Sequence, residues 1–242
     1  MKIAYVDSHC HLYEYSESEI EEFTSCFLIA AVSDDVYSSL KTLTIASKYN
    51  NVIPCVGIHP WEIGSTPREH IGKIVDLVSK YEVKCLGEIG LDRRFVPETI
   101  DRQREFFTQL LQIARDYDLT VNIHSVNTWT EVLGLLRKYD IERAVFHWYT
   151  GPLELIDEII DTGYYISINP AYTIQEKHRK VVDYVDVEYV VTESDGPYNY
   201  RGLKLNPRMI KETVKYIAKI KNLNIEEVGN VIYENFKKIF IL

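Results

Sequence analysis

Cysteine is scarce in this chain: Cys10, Cys26, Cys55 and Cys85 are the only four, and no two form a C-x-x-C pair. Each lies in an apolar, strand-like run, which argues against a disulfide framework and for reduced core thiols of a cytosolic protein. Positive charge is also in deficit, with 27 Lys and Arg against 36 Asp and Glu and a formal net charge of -9. The field of the whole molecule therefore repels nucleic acid and anionic lipid. A polyanionic substrate fits such a chain only where bound cations or a local basic patch reverse the sign. No apolar segment reaches membrane length and no signal peptide is visible, so the expectation is a soluble, cytoplasmic protein with no membrane partner. There is no repeat and no low-complexity linker; residues 1–242 read as a single domain.

What is present is a regular alternation. Eight short β-rich runs occupy residues 3–7, 26–32, 52–57, 83–87, 120–124, 144–147, 164–168 and 189–192. Most are rich in Val, Ile, Leu and Tyr without polar alternation, the pattern of parallel strands buried on both faces. Amphipathic segments follow at residues 35–49, 67–81, 102–117, 128–139, 153–162 and 174–184; in the clearest, Phe106, Phe107, Leu110, Leu111 and Ala114 form one stripe. The tail carries a helix over residues 207–221, with Asn206 as N-cap and Pro207 at the first helical position. A last helix runs from after Asn224 to near Phe240. Strand then helix throughout predicts an α/β fold, a (β/α)8 TIM barrel with an extra C-terminal helix; a doubly wound sheet is the fallback.

Polar residues of a restricted kind close these strands. His9 and His11 end the first, sharing one face with Asp7 because side chains alternate with a period of two. Cys10 points to the other face and is not expected as a ligand. His59 follows the third strand, Glu88 the fourth, His124 the fifth, His147 the sixth and Asp195 the eighth. In a barrel these positions converge on the face where active sites lie. Five of the seven histidines fall there; His70 and His178 lie in helical segments and read as solvated. Taken singly, each residue has a structural reading, a hydrogen-bonded imidazole or a helix-capping Glu. Taken together, four His, one Glu and one Asp would be costly to bury unpaired. A divalent metal is the natural partner, and two metals sharing a bridging carboxylate account for six ligands.

The blocks Asp7-Ser8-His9-Cys10-His11, Gly57-Ile58-His59-Pro60, Gly87-Glu88-Ile89-Gly90-Leu91-Asp92, Ile123-His124-Ser125, His147-Trp148-Tyr149-Thr150-Gly151 and Glu193-Ser194-Asp195-Gly196-Pro197-Tyr198 carry a resemblance. In order and spacing the chain resembles, almost end to end, the TatD family of metal-dependent deoxyribonucleases in the amidohydrolase superfamily. Arg201-Gly202, Asn206-Pro207 and Asn235-Phe236 match the same pattern. The resemblance implies that His9 and His11 hold one metal, that Glu88 bridges the pair, and that His124 and His147 sit on the second metal facing the substrate. It implies that Asp195 binds metal and is the base for the attacking water. The chain departs from the family where Val126-Asn127 replaces a common arginine, where Trp148 replaces a cysteine, and where Ser194-Asp195-Gly196 replaces Thr-Asp-Ala.

The implied chemistry is hydrolysis assisted by two divalent ions (Zn, Mn or Mg), which lower the pKa of bound water from ~15.7 to about 7. Proton transfer through Asp195 is typically worth ~10²–10⁴-fold. The ions also answer the charge problem, helped by Arg93, Arg94 and Arg201 just beyond strand ends, whose other reading is solvated rim. Trp61, Trp148, Tyr149, Tyr198 and Tyr200 either pack the loops or stack unpaired bases, at ~1–3 kcal/mol per base. His59 falls outside the family's ligand positions and reads as a phosphate-binding or outer group. Without a broad basic surface, the expected substrate is a 3′ end of single-stranded DNA, not long duplex. The alternative is a hydrolase of an amide, lactone or aminoacyl ester, including aminoacyl-tRNA, since fold does not fix substrate. Glu88, where that branch would carry a modified lysine, favours the nuclease. A metal-bound accessory protein without catalysis would lack Asp195 or a histidine, and none is missing.

Overall fold

The computed structural model describes residues 4–241. The apolar runs become eight strands paired in sequence order: β1 Tyr5–Cys10, β2 Phe27–Ala31, β3 Val52–Val56, β4 Cys85–Asp92, β5 Thr120–Val126, β6 Ala144–Phe146, β7 Tyr165–Ile168 and β8 Val190–Thr192. Each neighbouring pair is parallel. Residue 3, assigned to the first strand from sequence, lies outside the described residues. Between β8 and β1 the seam is drawn together by Asp195 N–H donating to the His9 carbonyl (2.9 Å) and His11 N–H to the Gly196 carbonyl (2.9 Å). The Thr192 hydroxyl adds a bond to the Val6 carbonyl (2.7 Å). The outcome is the (β/α)8 barrel that the alternation predicts.

Nine α-helices wrap the described residues: α1 Glu17–Cys26, α2 Val36–Ala46, α3 His70–Tyr81, α4 Ile100–Asp116, α5 Trp129–Lys138, α6 Glu154–Asp161, α7 Glu176–Tyr184, α8 Ile210–Lys221 and α9 Ile225–Phe240. α4 buries the stripe read from sequence, Phe106, Phe107, Leu110, Leu111 and Ala114. At ~1.5–3 kcal/mol for each large apolar side chain, that face alone fixes the helix on the sheet. Asn206 accepts from the Arg208 N–H (3.1 Å), as a cap should, but residues 207–209 form a 3-10 turn before α8 begins. α9 docks on the far end of the barrel, where Asn235 Nδ2 donates to the carbonyls of Val187 (3.0 Å) and Val190 (2.8 Å).

Three elements depart from the sequence expectation. α1 has no strong apolar stripe; only Ile20 and Phe23 among its large residues are buried, and a Ser16–Glu19 capping box starts it. Its last residue, Cys26, is exposed, so three of the cysteines are core thiols and this one is not. β4 runs on past residue 87 to Asp92, because its far half pairs with β5 from Ile89↔Ile123 to Asp92↔Val126. A small hairpin, β9 Asn199–Tyr200 and β10 Leu203–Lys204, follows β8. Its turn residues Arg201 (φ 51°) and Gly202 (φ 90°) are both left-handed, the geometry of a tight two-residue hairpin. Among the described residues no helix is long and apolar enough to cross a membrane.

Candidate metal centre

The strand ends converge on a single carboxylate. Glu88 is buried in β4, and its two oxygens face different imidazoles. Oε2 lies 3.2 Å from His9 Nε2 and 3.4 Å from His11 Nε2. Oε1 lies 2.6 Å from His124 Nδ1 and 3.5 Å from His147 Nε2. Across the seam, Asp195 Oδ1 is 3.5 Å from His9 Nε2 and 3.4 Å from His11 Nε2. All six residues expected as ligands thus meet in one space.

Two glycines make this approach possible. A Cβ on Gly87 would stand 2.6 Å from Asn122 Cβ, and one on Gly90 (φ +154°) only 1.8 Å from the His124 carbonyl oxygen. Any other residue at these positions would push β5, which carries His124, away from Glu88.

Each of the four histidines is held from behind by a second polar group. His9 Nδ1 meets Asn122 Oδ1 at 2.7 Å, and Asn122 is oriented by donating its Nδ2 to the Ser8 carbonyl at 2.7 Å. His11 Nδ1 is 3.2 Å from Asp34 Oδ1, and Tyr13 donates to the other Asp34 oxygen at 2.5 Å. His124 Nε2 meets Asp92 Oδ2 at 3.1 Å. His147 Nδ1 is 3.2 Å from both oxygens of Glu193, which also accepts from Asn169 Nδ2 (3.0 Å) and the Ser167 hydroxyl. At His9, His124 and His147 these outer bonds fix which nitrogen keeps its proton, so the lone pair that opens on losing the other proton faces Glu88. His59 is wired oppositely. Its Nδ1 accepts from the Trp61 N–H (3.2 Å), which leaves Nε2 as a donor, 3.3 Å from Glu88 Oε1.

The donor set fits divalent metal. His9 Nε2 and His11 Nδ1 are buried without a well-formed hydrogen bond, although carboxylate oxygens lie close to both. Such crowding of imidazole and carboxylate atoms, too misaligned for hydrogen bonds, suits cations better than protons. Among the described residues four triads have donor atoms close enough to share an ion: His9, Glu88 and His147; His9, His11 and Asp195; His59, Glu88 and His124; and, on the outer side of His11, His11, Glu14 and Asp34. Burial alone would lower His9 and His124, but the carboxylates override it and raise each to about 9. Burial alone would raise Glu88, yet His59, His9 and His147 hold it well below the usual carboxylate range. Against the same penalty, imidazole contacts hold Asp34, Asp92 and Glu193 near 2. Without metal, the surroundings therefore favour the protonated forms of His9, His11 and His124 and the ionised forms of Glu88, Asp34, Asp92 and Glu193.

Over this array opens a cavity of about 470 Å³, whose walls include Trp61, Arg94, Phe95, Trp148, Tyr198, Tyr200 and Arg201. Trp148, Tyr198 and Arg201 thus stand where sequence reading puts them. Arg93 does not reach this cavity: its guanidinium pairs with Glu131 (2.7 Å) and borders a separate hollow at the start of α5. Its neighbour Arg94 turns inward instead. Tyr149 is buried and donates to the Pro152 carbonyl (2.7 Å), so it packs a loop and does not meet the cavity. Asp7 stays outside the ligand set. Its Oδ1 accepts from the N–H groups of His9 (3.2 Å) and Ser194 (2.9 Å), tying β1 to the loop after β8.

One histidine expected to be solvated is not. His178, on α7, is wholly buried; its Nε2 accepts from the Asn169 N–H (2.8 Å) and its Nδ1 donates to the Tyr149 carbonyl (3.0 Å). Sequence reasoning also passed over Asp34, Asp92, Asn122 and Glu193. Asn122 was within reach, since it stands two residues before His124 and must share its face.

A barrel with histidines and carboxylates gathered at the C-terminal ends of its strands is the architecture of a metal-dependent hydrolase of the amidohydrolase type. The family model described as TatD related DNase matches residues 6–241, and the chain belongs to that family. It is 32% identical to an uncharacterized metal-dependent hydrolase of Methanocaldococcus jannaschii, over 98% of this chain and 97% of that one. It is 26% identical to the deoxyribonuclease TATDN3 of Homo sapiens, over 98% of this chain and 95% of the relative. In fold it matches the crystal structure of YJJV, a TatD homologue from Escherichia coli, with a TM-score of 0.89 at 21% identity and full coverage of both chains.

Proposed function

We propose that this protein is a two-metal phosphodiesterase, a deoxyribonuclease that acts at the 3′ end of single-stranded DNA. The observation that carries the reading is the division of Glu88, one oxygen toward His9 and His11 and the other toward His124 and His147. In this reading His9, His11 and Asp195 would hold one ion and His124 and His147 the other, with Glu88 available to both. Two divalent ions, zinc, manganese or magnesium, would supply an activated water and a counter-charge for the phosphoryl group. Asp195, buried beside His9 and His11 and lining the cavity, would accept the proton of the attacking water. His59, a donor through Nε2, hydrogen-bonds a phosphoryl oxygen, and Arg201, Trp148 and Tyr198 hold the flanking nucleotide. The deoxyribonuclease name of the human relative supports the substrate class. Arg93, engaged by Glu131, has no part in the site, and Arg94 takes the role expected of it.

The test is turnover of end-labelled single-stranded DNA and of chromogenic phosphodiester and carboxyl-ester substrates with Mg²⁺, Mn²⁺, Co²⁺ or Zn²⁺. Release of 3′-terminal nucleotides is expected, and no phosphodiester cleavage with any ion would sink the reading. Glu88→Ala and Asp195→Asn are each expected to abolish turnover in folded protein. If Asp195→Asn keeps most of its activity, another group is the base.

A further inference from the structure

The cavity carries the same arrangement twice, on loops from different strands. Trp61 and Phe95, from the loops after β3 and β4, meet edge to face with ring centroids 5.6 Å apart, and the Arg94 guanidinium stacks 5.2 Å from Phe95. Trp148 and Tyr200, from the loops after β6 and β8, meet edge to face at 5.0 Å, and Arg201 stacks 5.2 Å from Tyr200. In the eight-stranded order β4 and β8 stand four strands apart, and Arg94 follows the one while Arg201 follows the other. Each indole is pinned by its N–H: Trp61 to Asp92 Oδ2 (2.8 Å) and Trp148 to Gln175 Oε1 (2.8 Å). Each also abuts a histidine of the centre, Trp61 beside His124 and Trp148 beside His147, both at 6.2 Å.

The rings are not there to fill a core. Trp61 is 41% exposed and Phe95 56%. Trp148 sits in the left-handed region (φ 39°), a costly backbone for a bulky residue and one that persists where the surroundings impose it. Pinned aromatic rings at a cavity wall, each pair with a guanidinium stacked on it, are what unpaired bases and their phosphates bind.

Building on the phosphodiesterase reading, we propose that Trp61–Phe95 and Trp148–Tyr200 are two separate base platforms, one on each side of the metal centre. The substrate unit is then an unpaired dinucleotide step, its two bases splayed to the two platforms with the scissile phosphodiester between them. Bases held this way stack neither on each other nor in a duplex, which selects single strands by geometry and not by charge.

The test is binding of a methylphosphonate-linked thymidine dinucleotide, which is not cleaved, to metal-loaded protein by calorimetry. Two analogues lack the 5′ or the 3′ base and keep the sugar. Removing either base is expected to weaken binding about tenfold or more. Trp61→Ala should erase the effect of removing one base and Trp148→Ala the effect of removing the other, with Trp→Phe at each position restoring it. Equal binding of all three ligands to the unmodified protein overturns the proposal, whatever the variants do. Sensitivity of both tryptophan variants to the same base overturns it as well. Cleavage of the natural dinucleotide is measured alongside: its absence refutes the phosphodiesterase reading, whereas cleavage without base dependence refutes only the two platforms.

Discussion

Lowering the pH should destabilise this protein through His178 in a way that one substitution can isolate. Burial holds the imidazole at about 4, against an ordinary value of 6.5, and both ring nitrogens are engaged as one acceptor and one donor. A proton on Nε2 would face the Asn169 N–H at 2.8 Å, donor against donor. Because the folded value lies below the unfolded one, the unfolded chain binds the proton more readily throughout the interval. Stability is therefore complete above pH 6.5 and is lost as the pH falls toward 4. At 1.36 kcal/mol per pKa unit the full effect is about 3 kcal/mol, of which about 2 kcal/mol is gone at pH 5. His178→Gln keeps an acceptor and a donor but cannot titrate. Urea denaturation of both proteins, with chelator present and at pH 7.5 and 5, gives the difference directly. The wild type should lose about 2 kcal/mol more than the variant over that interval. A difference below about 0.5 kcal/mol would show that His178 is not held neutral, and would refute the argument from its two bonds.

Three further outcomes follow from the centre. Asn122→Leu removes the group that orients His9, and metal affinity measured by competition with a chelator should fall by about 10–100-fold; unchanged affinity would mean His9 needs no support. Metal binding should expel protons, because His9 and His124 stand at about 9 without metal, so affinity should climb with pH until near that value. Calorimetry in buffers of different ionisation enthalpy reads the protons released, and none at pH 7.5 would contradict the raised values of His9 and His124. Gly90→Ala places a methyl 1.8 Å from the His124 carbonyl oxygen and should leave little folded protein, as judged by circular dichroism and solubility. A folded, metal-binding Gly90→Ala variant would show that β4 and β5 can part without loss.

The barrel was legible in the sequence because parallel strands buried on both faces leave continuous apolar runs that no turn interrupts. α1 was not, since Ile20 and Phe23 are its only large buried residues and its Ser16–Glu19 box lies among other acids. β4 was cut short at a Gly-Glu pair that resembles a turn, where the glycines serve close packing against β5. The ligand set was legible because its six members fall on or just after five of the parallel strands, His9 and His11 together on the first. Its supports were not: Asp34, Asp92 and Glu193 sit among residues that cap helices or line loops equally well, and only distances tie them to imidazoles. His178 misled because α7 has a polar sequence, and nothing local reveals that the loop of Asn169 and the Tyr149 carbonyl close over it.

The seam between β8 and β1 has one more implication. His9 and His11 lie on its first bank and Asp195 on its last, joined by two backbone hydrogen bonds and the Asp7 clamp. A ribosome makes those banks nearly two hundred residues apart. Until the eighth strand is released, the nascent chain holds histidines with no facing Asp195 and no wall bearing Tyr198 to Arg201. On the proposed reading, the full set of metal ligands is therefore assembled only when the ring closes, in a single event.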